Sequence, residues 1–145
     1  MTQMIFVNLP VTDLQRSIAF YEAIGFTNNP MFSDETAASM VLSDAIYVML
    51  LTHGKWSTFT GKAIPNAKES AQVMLAISRD GREAADAITE QAARAGGNPD
   101  CNPKQDYGFM YGRSFEDPDG HIWEPFWMDP QAARDGPPAM AETGA

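Results

Sequence analysis

The chain is short of the residues that most quickly betray a chemistry. In 145 residues it has one cysteine, Cys101, and two histidines, His53 and His121. A lone thiol forms no internal disulfide and has no second thiol for a metal cage, and two imidazoles leave any metal site leaning on carboxylates. Cations are scarce as well. Ten Lys and Arg stand against nineteen Asp and Glu, a formal charge of −9. Such a surface repels a phosphate backbone and gains nothing from counterion release, which argues against a nucleic-acid partner. The longest unbroken apolar run, Ala45 to Leu51, has seven residues, far below the roughly 20 that span a bilayer. Met1-Thr2-Gln3 carries no basic n-region, so the expectation is a cytoplasmic protein with no membrane partner. Also missing are a Gly-rich phosphate loop, a serine nucleophile elbow and any histidine spaced to activate Cys101.

What is present is one domain's worth of chain that is 44% hydrophobic, enough for a core. Met4 to Val11 alternates, with Ile5, Val7, Leu9 and Val11 on one face and Phe6, Asn8 and Pro10 on the other. That is the period of a half-buried strand. Asp13 then suits the N-cap of a helix with the apolar stripe Leu14, Ile18, Tyr21 and Ile24, and Gly25 supplies its stop. Three strand-like runs follow, Thr27 to Phe32, Ala37 to Leu42 and Ile46 to Leu51, divided by polar turn signals. The first half reads βαβββ.

The second half repeats the pattern. Ala71 to Ser78 alternates, a helix runs from about Gly81 to Ala95 on the narrow stripe Ala85, Ile88, Ala92 and Ala95, and Gly96-Gly97 ends it. Strands fit around 97–102, 107–116 and 122–128. Two βαβββ modules, over about 4–51 and 71–128, predict an α+β domain of residues 1–130. The aromatic-bearing loop 52–70 between them suits a lid or a subunit contact. Residues 131–145, rich in Pro, Ala and Gly, read as a poorly ordered tail.

The most informative stretch is Phe115-Glu116-Asp117-Pro118-Asp119-Gly120-His121-Ile122-Trp123-Glu124, where Pro118 presets a turn and Gly120 is free to take positive φ. With Val7-Asn8-Leu9-Pro10-Val11-Thr12-Asp13-Leu14 feeding Phe20-Tyr21-Glu22-Ala23-Ile24-Gly25-Phe26, it resembles the vicinal oxygen chelate superfamily of glyoxalases, bleomycin-resistance proteins and extradiol dioxygenases. The runs Ile46 to Leu51, Asp106 to Arg113 and His121 to Glu124 look like a subgroup related to lactoylglutathione lyase. The resemblance implies two modules that form an open, curved mixed sheet, a ligand or metal in its concavity, and a homodimer.

In metal-dependent members the ligands come from the first and last strands of each module, and those positions fall here on Phe6, Met49, Gln72 and Glu124. Phe6 cannot ligate, a thioether suits a hard divalent ion poorly, and Gln72 offers one neutral oxygen. No metal cofactor is therefore favoured, and a weakly bound divalent ion, if present, would rest on Gln72 and Glu124. Glu124 is the candidate catalytic acid or base. Asn8 and Gln72 are placed beside it as polar neighbours, among Phe6, Met49, Met74 and Phe126, with Tyr111 and Arg113 as partners if their strand face points inward.

Three functions stay open. A protein of the bleomycin-resistance kind would hold an apolar or cationic small molecule in the concavity without a metal. A lyase or dioxygenase would use Glu124 as base with a weakly held metal. A domain without ligand would act through its dimer surface.

Overall fold

The structure is a computed structural model that describes residues 2–138; part of the predicted tail, 139–145, lies outside the described residues. Two sheets form, and each is built by one module. In the first, β1 (Ile5–Val11) is followed by α1 (Leu14–Ala23), β2 (Thr27–Asn29), β3 (Ala37–Val41) and β4 (Ile46–Thr52), in the order β1-β4-β3-β2. Strands β1 and β4 run parallel and the remaining pairs antiparallel. In the second, β5 (Met74–Ser78) and α3 (Arg82–Arg94) precede the short strands β6 (Asn98–Pro99), β7 (Gln105–Asp106), β8 (Met110–Gly112) and β9 (Phe115–Glu116), then β10 (Ile122–Met128). Here β10 pairs in parallel with β5 and antiparallel with β8 and β9, which in turn pair with β7 and β6. Counting β8 with β9 and β6 with β7 as interrupted strands, the order is that of the first module.

The alternation in β1 has the predicted consequence in its second half, whereas Ile5, placed on the same face, is exposed at the strand's start. Leu9 and Val11 are buried, while Phe6 and Asn8 are exposed. Asp13 accepts a bond from the Arg16 amide at 3.1 Å as N-cap of α1, and Gly25 takes φ +111 beyond its end. The buried stripe of α1 is wider than the sequence periodicity implies. Ser17 and Phe20 join Leu14 and Tyr21, because α1 touches its own sheet and also the second module.

That second contact joins the halves. The Phe20 ring lies 6.1 Å from Phe115, and Tyr21 and Phe26 lie 6.0 and 5.8 Å from Trp123, within one core of buried residues drawn from both modules. Aromatic burial of this kind contributes several kcal/mol per ring. The turn that dominates the sequence acts as a polar staple across the same joint. One oxygen of Asp117 accepts the amides of Asp119, Gly120 and His121 at 2.9–3.0 Å, and the other accepts the Tyr21 hydroxyl at 2.6 Å. Trp123 Nε1 donates to the same hydroxyl at 3.0 Å. Asp119 accepts from the amide and the hydroxyl of Thr12 at 3.0 and 2.8 Å. Burial raises the Asp117 carboxyl above its ordinary value, with His121 acting in the opposite sense, and it raises the Tyr21 hydroxyl too.

Four expectations are corrected. The strand predicted over Thr27 to Phe32 ends at Asn29, whose side chain caps a 3-10 turn over Pro30–Phe32 that Pro30 presets. The single strand predicted over 107–116 is broken at Arg113 and Ser114, where the Ser114 hydroxyl turns to the backbone of Asn102. The strand predicted from Ala71 begins only at Met74. The predicted tail starts with a helix, α4 (Pro130–Asp135), because Asp129 caps it through the Gln131 amide and Pro130 presets its first turn. Loop 52–70 opens with the short helix α2 (His53–Trp56), capped by Thr52. Among the described residues no helix is long and apolar enough to cross a membrane.

Candidate functional site

Helices α1 and α3 cover one face of each sheet, so the other face is free to meet a ligand. Pairing register fixes what that face displays. In the second module Ala76 lies across from Glu124, Ser78 across from Phe126, and Phe126 across from Gly112. Leu75, Ile77 and Trp123 alternate to the helix side, where Ile77 and Trp123 are buried. The open side forms a cavity of about 550 Å³, whose walls include Met74, Met110, Phe126 and Met128, with Asn102 and Gln105 as amide groups and Glu124 as the only carboxylate.

Glu124 has a distinctive environment. Among the described residues it is the one partly buried carboxylate with neither a hydrogen bond nor an ion pair. Those at this depth or deeper are engaged: the buried Asp117 and Asp119 in the staple, Asp86 with Tyr111 and Arg113, Glu116 with Asn98, and Asp129 at its cap. A carboxylate on an apolar wall without a partner is placed to receive a cation or a proton donor from a ligand.

The partners proposed for Glu124 lie elsewhere. Tyr111 pairs with Trp127, which alternates away from Glu124, so Tyr111 and Arg113 point to the helix side of the sheet. The Arg113 guanidinium binds both oxygens of Asp100 at 2.7 and 3.1 Å and reaches Glu90 and Asp86 on α3 at 2.8 and 3.1 Å. Tyr111 donates to Asp86. Their side chains belong to a brace between α3 and the sheet, and Arg113 reaches the cavity only as part of its wall. The i, i+4 spacing of Asp86 and Glu90 was the sequence signal for this brace. The hydrogen bond from Arg113 holds Asp100 below the ordinary carboxylate value, and that from Tyr111 does the same for Asp86. Burial and Asp86 push Tyr111 up to about 12.

The remaining predicted residues are dispersed. Met74 and Phe126 line the cavity with Glu124. Asn8 and Gln72 meet in a neighbouring chamber beside Trp56. Phe6 stacks on Tyr47 at 4.4 Å, and Met49 lies across from Asn8 on the open face of the first module. Residues missed in sequence are chiefly Asn102, Pro103 and Gln105, from a segment without periodicity; Ala76 and Gly112 were accessible through strand parity.

A metal fits this chain poorly. Register makes Asn8 and Met49 equivalent to Ala76 and Glu124, and Phe6 equivalent to Met74, so Gln72 falls two residues ahead of its strand. With either Gln72 or Met74, the set contains one hard anionic donor, a thioether and a phenyl ring. Divalent ions of the first row are not held tightly by such a set. Among the described residues no group of three or more His, Cys, Asp or Glu is placed to hold a metal.

Similar folds are found among solved structures. A hypothetical protein of S. aureus superposes with a TM-score of 0.72 at 24% identity, covering 88% of this chain and 94% of its own. A glyoxalase/bleomycin resistance protein/dioxygenase family enzyme from Burkholderia phytofirmans gives 0.71 at 16%, covering 88% and 99%. The fosfomycin resistance protein FosX of Listeria monocytogenes gives 0.65 at 16%, covering 90% and 97%. At these identities the likeness is one of fold. No curated protein matches the sequence. Residues 3–124 match the family model described as Glyoxalase/Bleomycin resistance protein/Dioxygenase superfamily, and with two modules of one strand order around a shared core, the chain belongs to that superfamily.

Proposed function

We propose that this chain binds a small organic cation with an apolar body in the cavity over β5, β8 and β10, without a metal. The supporting observation is Glu124, partly buried and unpartnered on a wall otherwise made largely of Met, Phe and Pro side chains. Methionine walls adapt to ligands of differing outline, and one carboxylate among them fixes the orientation of a positive group. Within the superfamily the reading places the chain nearer the binding proteins than the metal-dependent lyases and dioxygenases, and leaves kinship with a lactoylglutathione-lyase-related subgroup as a finer proposal. A homodimer is part of the proposal: Ile5, Phe6, Val73 and Met74 are each more than half exposed, an apolar surface that a second copy would cover.

Calorimetric titration with benzyltrimethylammonium tests the reading. The wild type is expected to bind it, and Glu124→Gln to weaken binding about tenfold or more while thermal stability is kept. Equal affinity in the two proteins would sink the proposal. Elemental analysis of protein purified without chelators provides a second check. Near-stoichiometric metal that is lost in Glu124→Ala would instead support a metal-dependent enzyme.

A further inference from the structure

The loop that joins the modules covers a second pair of chambers, and these share no residue with the Glu124 cavity. The outer chamber, about 410 Å³, lies between the start of α1, the start of α2 and the Asp117–Gly120 turn; Arg16, His53, Asn66 and Lys68 line it. The inner one, about 230 Å³, is faced by Trp56, Val73, Leu75 and Ile122, with the amides of Asn8 and Gln72. Pro10, Pro65, Ala67 and His121 belong to both. We propose that these chambers form one site for an organic anion, which seats its charged head in the outer chamber and a flat apolar body against Trp56.

Charge supports this assignment. On a chain of net −9, the outer chamber gathers two of the ten Lys and Arg together with both histidines. Its one carboxylate, Asp119, is 7% exposed and is occupied by Thr12 and Ser17, with Arg16 Nη2 3.9 Å away. Lys68 has no ion-pair partner among the described residues. Charges further away than about 8 Å are largely screened at physiological salt, so the balance is set close to the chamber. There Arg16 and Lys68 on the wall stand against Asp119, with Asp13 and Glu69 next in the chain to lining residues but not part of the wall. The chambers are also preformed. A Cβ on Gly120 would stand 2.7 Å from the Ala67 backbone, so loop and turn are in close contact at the shared wall. His121 Nε2 lies 2.8 Å from the Pro10 carbonyl, which accepts only, so that nitrogen carries the proton and the ring is held between the chambers. Taken together, the volumes fall in the range of small-molecule sites, roughly 300–1,000 Å³.

Phenyl phosphate is a suitable probe, followed by NMR of the protein with labelled histidines, since only two imidazole signals arise. Both signals are expected to shift saturably, and phenyl phosphate is expected to bind more tightly than inorganic phosphate or phenol alone. Arg16→Gln and Lys68→Gln, each at an exposed side chain, should weaken binding about tenfold, and Glu124→Gln should leave it unchanged. The proposal is overturned if no saturable shift occurs, if inorganic phosphate binds equally well, if neither cation variant matters, or if Glu124→Gln tightens binding, as neutralising a carboxylate that faces an anion would, and so places the probe in the other cavity.

Discussion

In the first module the register sets Asn8 across from Met49, and at the same place in the second it sets Ala76 across from Glu124. Backbone order is duplicated, and the helix-facing sides agree in character: Leu9, Val11, Val48 and Leu50 in one, Ile77, Phe115 and Trp123 in the other, all buried. The open faces diverge. One carries a Phe6–Tyr47 stack and no acid; the other a cavity with a single unpartnered carboxylate. Burial under a helix constrains a side chain to be apolar and of the right size, whereas an open face has no such requirement, so duplicated architecture leaves chemistry free to differ.

If the shared core is what makes the modules one unit, Trp123→Ala should have the largest effect, a loss of about 3–5 kcal/mol in denaturant unfolding. A loss under 1 kcal/mol would mean that the modules are stabilised separately. Gly120→Ala comes next. It needs φ +103 from an L residue and a Cβ within 2.7 Å of the Ala67 backbone, and a cost of about 1–3 kcal/mol is expected, with faster proteolysis in loop 57–70. Unchanged proteolysis would show that the loop is anchored elsewhere.

Within the second module carboxylates are held in two opposite ways, and pH separates them. Asp86 and Asp100 lie below the ordinary 3.8, so the stability they contribute is full above that value and is lost as pH falls through their lowered ones. Asp117, raised by burial, contributes fully below 3.8 and loses its contribution as pH rises through its folded value. Arg113→Gln should return Asp100 toward 3.8, since Arg113 is its main cause, while Tyr111 still lowers Asp86. NMR titration of the carboxyl carbons decides this, and an unmoved Asp100 would remove Arg113 as the cause. The smallest effect is expected at Phe6→Ala, where a half-exposed ring stacked on Tyr47 should cost less than about 1 kcal/mol. A larger loss measured on dilution-sensitive protein would show that Phe6 is buried in a dimer.

The amino-acid sequence by itself determined the two βαβββ modules, the helix stop at Gly25, the turn at Asp117–Gly120 and the side of β10 on which Glu124 lies, because period-two and period-3.6 burial and turn geometry are local properties. Tertiary structure decided which faces meet. The parity of Tyr111 and Arg113 relative to each other is readable from spacing, but their side relative to Glu124 depends on the register of β8 against β10 across a broken strand. Asn102 and Gln105 reach the cavity from a loop without period, and Asn8 lines the chamber beside Gln72 and Trp56 rather than the Glu124 cavity. Asp117 illustrates the division most plainly: its turn is written in neighbouring residues, while its partner Tyr21, 96 positions away, is supplied only by the packing of α1 on the second module.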